Sequence, residues 1–468
     1  MIALRRSAQY SFGDGLIAEQ VSELWEPWMR QADQVLEDEQ LINAVYEALL
    51  ARRPGSRTRG RLGVPAEIVL RLLLLKHIRN WSFQVVEREV RANLVYREFA
   101  RIGAAKVPDA KTLGRQARAL GPEVIQQIHA RMVALAVENK VVQGRRMRVD
   151  TTVVETNIHY PTDSSLLGDG NRVLTRLMKK VTAMAGNAGA KLRNRMRSVQ
   201  RRVAEIGRAA RIKGERGKET LQKIYRKLLA TTGRVIAQAK RFSCEITAGV
   251  KRSSNVLKQA ALDGLKREID TMVSRTGQVV RQAKARVFGG NTHAEGKLVS
   301  LFEPATEVIR KGKASKPTEF GKMVKVQEAE NQIVISFEVY DSKPSDNDLL
   351  IPAIEIHQQL MGRTPDLVAA DAGFFSAKNE EAAKERGVKR ISVPNRSTKS
   401  PARRQHQKQR WFKKGQKWRT GCEGRISLLK RRHGLKRSLY KDEAGMTRWV
   451  GLGIIADNLI NIGRAMAK

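Results

Sequence analysis

From residue 171 to 290 the chain runs without a single proline and keeps helical periodicity over most of that length. The stretch holds 30 lysines and arginines against 7 aspartates and glutamates, a net of +23. Strand-like sequence stands on both sides of it, so a sheet built from both flanks must carry this segment as an insertion. Charges of alternating sign would mark solvated helix faces. Here the signs do not alternate, and a helical arm that tracks phosphates is the better reading. Over all 468 residues there are 88 Lys+Arg and 47 Asp+Glu, a formal net charge of +41. A chain so charged repels itself unless a polyanion screens it, and nucleic acid is the matching counter-charge.

Other classes fit poorly. The most apolar run, VLRLLLL at 69–75, is far too short to span a bilayer. The start, MIALRRSAQYSFGDG, lacks the apolar core and cleavage site of a signal peptide, so the expected location is cytoplasmic. Cys244 and Cys422 have no metal-ligand spacing and read as two reduced thiols. No HExxH, GxxxxGK[ST] or GxSxG occurs, which argues against zinc hydrolase, ATPase and serine hydrolase.

Along the chain, LIAEQVSELWEPWMRQADQVLEDEQLINAVYEALLARR repeats apolar residues at three and four, giving an N-terminal helical segment within 1–60. Residues 61–140 read as a compact all-helical domain: Pro65 opens a helix, Asn80–Trp81–Ser82 breaks it, and Asp109–Thr112 turns into a basic helix. A packing or dimerisation module and direct base readout stand level for this domain. At 141 the pattern changes to the β-branched VVQGRRMRVDTTVVET, with HYPTDSSLLGDGN as a polar exit. Strands return in KLVSLFEPATEVIRK, in two period-2 runs around 328–331, in DLVAADAGF and in VKRISVPN, with helices at 350–362 and AKNEEAAKERG. The order points to an α/β fold, an RNase H-like mixed sheet with a long basic helical insertion, preceded by the all-helical N-terminal domain. The catalytic parts would be 141–170 and 291–468, and the insertion 171–290.

Three carboxylates stand out. On a strand, side chains alternate, so Asp150 and Glu155 face opposite ways and cannot share one metal. Asp150 is then either ion-paired with Arg148 or another arginine, or part of a site completed elsewhere. Asp371 ends an apolar run where the chain enters a loop, and in open α/β sheets sites lie at such strand ends. Asp366 precedes the run and reads as a turn cap. In GQKWRTGCEGRISLLKRRHGL, Arg419, Glu423 and Lys430 fall on one helical stripe, and Glu423 is the only acid between Glu385 and Asp442. Gly421 and Gly424 each cost roughly 1 kcal/mol inside a helix, so the helix is expected to begin near Glu423. Three such carboxylates suit Mg²⁺ or Mn²⁺, two ions per site.

These residues resemble the DDE transposases of bacterial insertion sequences from about residue 60 onward. PAEIVLRLLLLKHIRNWSFQVVEREV and PDAKTLGR are similar to the helical domain those enzymes use to bind their ends, RVDTTVVETNIHYPTDSSLL to the first catalytic strand, and LVAADAGFFSAKNEEAAKERGV to the second. Arg-x3-Glu-x6-Lys in RTGCEGRISLLK matches the third motif, although Gln416 stands where the family often has tyrosine. The resemblance implies Asp150, Asp371 and Glu423 as catalytic and metal-binding residues, with Arg419, Lys430, Arg425 and Arg431 contacting DNA. It further implies endonuclease cleavage at inverted-repeat ends, transfer of the 3′-hydroxyls to target DNA, and at least a homodimer in a synaptic complex associated with the bacterial nucleoid. Two alternatives remain: a nuclease of the same core that cuts without rejoining, and a catalytically inactive DNA-binding or regulatory protein.

Overall fold

The computed structural model describes all residues except 7–14, 16–20, 22, 53, 61, 187, 293–294 and 311–316. The start of the expected first helical stretch, 16–22, therefore lies mostly outside the described residues, as does the end of the KLVSLFEPATEVIRK strand. Two compact units divide the chain: Met1–Asn157 with Ile309–Lys468, and Ile158–Val308.

Among the described residues the first unit has, before its first strand, the helices α1 (Pro27–Val35), α2 (Glu39–Arg52), α3 (Ala66–Ile78), α4 (Phe83–Ala92), α5 (Leu94–Phe99), α6 (Ala110–Ala119) and α7 (Pro122–Glu138). Local chemistry sets their ends. The Ser82 hydroxyl accepts from the Val85 N–H and Asp109 accepts from Thr112, each satisfying a backbone donor that the first helical turn leaves open. Every residue of α3 is buried, Lys76 and His77 included. A helix buried on all sides is a core element rather than an amphipathic surface helix, and α3 packs in one core with α1, α2, α7 and the C-terminal helix α16 (Asp442–Met466). That core continues onto one sheet face through Val154, Val324, Val326 and Phe337. Residues 61–140 are therefore not a separate domain, because a domain needs a core of its own.

The sheet comprises β1 (Arg146–Thr156), β2 (Glu307–Arg310), β3 (Thr318–Glu328), β4 (Val334–Val339), β5 (Leu367–Ala370), β6 (Arg390–Ser392) and β7 (Arg437–Ser438). Its order is β2-β3-β1-β5-β6, with β4 also on β3 and β7 on β1. β1 is antiparallel to β3 and parallel to β5, which is parallel to β6. The expected hairpin joins β3 to β4, with Asn331 and Gln332 at positive φ in its turn. Helices α12 (Leu350–Met361) and α13 (Ala377–Glu385) connect β4, β5 and β6, and α14 (Pro401–Lys408) leads into the long α15 (Arg410–Arg432).

The second unit is a bundle of α8 (Asp163–Ala185), α9 (Met196–Ala209), α10 (Glu215–Thr247) and α11 (Val256–Gly289) around its own apolar core. The expected open arm folds back on itself, and the unit is wider than 171–290. The supposed polar exit is its first helical turns: Thr162 caps α8, Leu166 and Leu167 are buried, and a side-chain carbon at Gly170 would lie 2.6 Å from Thr276 of α11. The polar composition of 163–171 serves close helix packing. Among the described residues, no helix is long and apolar enough to cross a membrane.

Candidate active site

Strands β1 and β5 run side by side in parallel, and their last paired residues are Val149 and Ala370. One step further along each comes an aspartate, Asp150 and Asp371. Val149 and Ala370 both enter the core under α12, so by strand alternation the two aspartates turn to the opposite face. Helix α15 crosses the sheet there, over β1, β5 and β6. It brings Glu423.

Two devices dock that helix. At Gly421 an added Cβ would stand 2.3 Å from the Arg148 guanidinium, so only glycine lets α15 come down on the β1 side chains. This corrects the expected helix start: α15 is helical from Arg410 through both glycines; at Gly421 close packing on Arg148 offsets a propensity cost of roughly 1 kcal/mol, while Gly424 has open space around it. One and a half turns earlier, the Gln416 amide donates to the carbonyl oxygens of Ala370 and Ser392, tying α15 to the ends of β5 and β6. Gln416 thus grips the residue immediately before Asp371.

The carboxylates share cations. Arg419 donates through Nη2 to Glu423 Oε1 at 2.9 Å, and its Nη1 lies 3.7 Å from Asp150 Oδ2. That guanidinium is nearly buried, and its Nε and Nη1 have no hydrogen-bond partner among the described residues. Asp371 is met at 3.3 Å by Arg396, which is largely exposed. The Asp371 side chain does not cap the short turn Ala372–Phe374 that follows it. Burial pushes the Asp150 carboxyl up to about 6; the Thr151 N–H and Arg419 oppose the rise, while the negative charges of Asp371 and Glu423 add to it. The mutual effect places three acids of one sign in one neighbourhood.

Beneath this open cluster lies a closed one. Arg148 does not pair with Asp150. Its Nε donates at 3.0 Å to Glu328, its cross-strand neighbour on β3, a second N–H goes to the Trp418 carbonyl, and the guanidinium lies 4.8 Å over the Trp418 ring. Arg425 is 4% exposed and binds Asp457 of α16 through Nη1 at 2.8 and 3.0 Å. That burial and pairing leave it no exposed surface for the DNA contact expected of it. Sequence placed it in a basic run, but the helix turns it inward onto an acid supplied by α16.

Of the remaining candidates, Arg431 is exposed on the last turns of α15 and Lys430 is half-buried there. Glu155 faces away from Asp150 and pairs with Arg437 at 3.0 Å. Asp366 forms ion pairs with Lys389 at 2.9 Å and Arg363 at 3.0 Å. Sequence reasoning missed Arg396, the Gln416 clamp and Asp346, which accepts from the Thr151 hydroxyl at 3.0 Å. Only the position of Arg396 just after a strand end gave any signal for it.

The donor set is all carboxylate oxygen, which suits a hard divalent cation. Among the described residues no group of three His, Cys, Asp or Glu side chains stands close enough to hold a metal ion; Arg419 lies between Asp150 and Glu423. The raised Asp150 carboxyl, which the negative charges of Asp371 and Glu423 help to lift, marks an excess of acid that a cation would relieve, whereas the unpartnered Arg419 N–H groups suit an anion beside it. The residues present therefore fit such a cation in kind.

Residues 26–118 match the family described as Transposase domain (DUF772), and residues 300–459 match the family described as Transposase DDE domain. The second match takes in Asp371 and Glu423. Asp150 precedes it, on the far side of the helical bundle in sequence. No curated protein and no solved structure matches the chain.

Proposed function

Because the chain belongs to the DDE transposases of insertion sequences, we propose that Asp150, Asp371 and Glu423 are its catalytic triad, in an RNase H-like core, and that it cleaves element ends and joins them to target DNA. The observation that carries this reading is the step in register that sets Asp150 beside Asp371 under the helix bearing Glu423. The strand order β4-β3-β1-β5-β6, with β3 antiparallel, supports the RNase H-like reading.

The three carboxylates would hold Mg²⁺ or Mn²⁺, two ions per site. When bound, such ions polarise the attacking water or 3′-hydroxyl and stabilise the leaving oxygen. The chain's own residues do the rest. Asp150 and Asp371 supply ligands from rigid strands, while Glu423, more than half exposed on its helix, supplies one that can move. Arg419 leaves its two carboxylates and turns its forked N–H groups to phosphate oxygens. Lys430 and Arg431 continue that contact along α15, and Gln416 keeps the helix in register with the strand ends. The bundle, with its excess of cations, holds further phosphates. Strand transfer at two ends calls for at least a dimer on double-stranded DNA.

Pre-nicked end duplexes, incubated with target DNA and Mg²⁺, test the joining step directly. Strand-transfer product is expected; persistent cleavage without any such product would reduce the activity to that of a nuclease. Inverted repeats, if sequencing finds them bracketing the reading frame, would supply the end sequence for the assay.

A further inference from the structure

At the far end of α15 the first unit has a cavity of about 430 Å³, within the size range of small-ligand sites. Four arginines line it: Arg79 after α3, Arg431 and Arg432 on the last turn of α15, and Arg464 near the end of α16. Its lining acids are two. Asp457 is already taken by Arg425. Glu26 is taken by Arg79 and by the Trp28 indole N–H at 2.9 Å. No described carboxylate pairs with Arg431 or Arg432, Arg464 shares the field of Glu26 with Arg79, and both Arg432 and Arg464 are exposed. Elsewhere in this unit Arg71, Arg131, Arg148, Arg403 and Arg425 each have a carboxylate, while Arg97 and Arg448 donate their N–H groups to backbone carbonyls. A concave site with four guanidinium groups against two acids, Arg431 and Arg432 having no described carboxylate, concentrates positive field where a planar fork can grip an anion's oxygens.

We propose that this cavity is a second, non-catalytic phosphate site that anchors the DNA backbone at a set distance from the cleaved bond. The inference rests on the transposase reading, because α15 carries both the acid and the anchor. From Glu423 to Arg432 the helix rises about 13.5 Å at 1.5 Å per residue and makes about two and a half turns, so the acid and the anchor lie on opposite sides of α15 and a bound strand passes around the helix rather than along it. Held there, one end of the duplex cannot slide past the carboxylates.

The test measures binding of wild-type protein, Arg432→Ala/Arg464→Ala and Arg432→Lys/Arg464→Lys to a 40-bp duplex over a series of salt concentrations. The alanine pair is expected to weaken binding roughly tenfold or more and to flatten the slope of log K against log salt by nearly two, about 0.9 for each phosphate no longer neutralised. The lysine pair keeps the charge and most of the slope. An unchanged slope in the alanine pair, with its thermal unfolding also unchanged, overturns the anchor. ATP is the second probe: ATP binding abolished in the alanine pair while the duplex slope stays put would assign the cavity to a free nucleotide and equally overturn it. Mn²⁺-dependent nicking of supercoiled plasmid by the wild type separates this idea from its premise. Absent nicking with an altered slope fails the catalytic reading alone, and intact nicking with an unaltered slope fails the anchor alone.

Discussion

Helix α15 covers two groups of charges on the same sheet face, and they differ in one respect. In the closed group, Arg148 and Arg425 face Glu328 and Asp457, two against two, all nearly inaccessible to solvent. In the open group, Asp150, Asp371 and Glu423 face Arg419 and Arg396, three against two, with Asp371 and Glu423 reaching solvent. The closed set is balanced in charge, although Arg425 Nε stands 4.0 Å from Glu328 without a hydrogen bond among the described residues. The open set has an acid in excess and holds one of its members, Asp150, well above the ordinary carboxyl range. Balance marks structure and imbalance marks chemistry, and each half of that contrast can be attacked separately.

The largest effect is expected in the open group. Asp150→Ala, Asp371→Ala or Glu423→Ala should each cut the cleavage rate on the order of 10³-fold, since a ligand to catalytic metal stabilises the transition state by several kcal/mol. DNA affinity measured by gel shift should change little. Next comes the closed group. Glu328→Ala leaves Arg148 buried without its partner and should cost about 3–5 kcal/mol in urea unfolding, whereas replacing both Arg148 and Glu328 by apolar residues of similar volume should cost far less. If the single and double variants unfold alike, the closed group is not a pair at all.

Asp150→Asn sharpens the contrast, because it should stabilise the metal-free fold. The folded-state pKa, about 6, lies above the ordinary value of 3.8, so the protonated acid is favoured in the fold. The stability it lends is complete below about pH 4, declines as the pH rises, and is gone above 6. At pH 7 the asparagine variant should therefore be more stable by about 3 kcal/mol, and at pH 4 the gain should vanish. The smallest effect belongs to the neighbour on the same strand. Glu155→Gln removes a partly exposed pair with Arg437 and should change stability by less than about 1 kcal/mol, with cleavage unchanged.

The strands that carry the site were legible because alternation and strand ends are local: Asp150 and Glu155 separate by parity alone, and Asp371 ends an apolar run. What decided the remaining questions lies far away in sequence. Arg148 finds Glu328 across 180 residues and Arg425 finds Asp457 on another helix, so neither partner shows in the run where the arginine sits. Gly421 of α15 reads as part of a helix boundary until Arg148 is placed against it. The N-terminal helices read as their own domain because periodicity reports that a helix has an apolar face, not which element covers it. Here that element is α16, which follows them by some three hundred residues.

Titration of Mn²⁺ into DNA-free protein at pH 7, followed by electron paramagnetic resonance of the free ion, tests the contrast most directly. Wild type and Glu155→Gln should bind Mn²⁺ saturably and alike, and Asp150→Asn/Asp371→Asn/Glu423→Gln should lose that binding. Equal Mn²⁺ uptake by the triple variant would contradict the open group's role as the cation site.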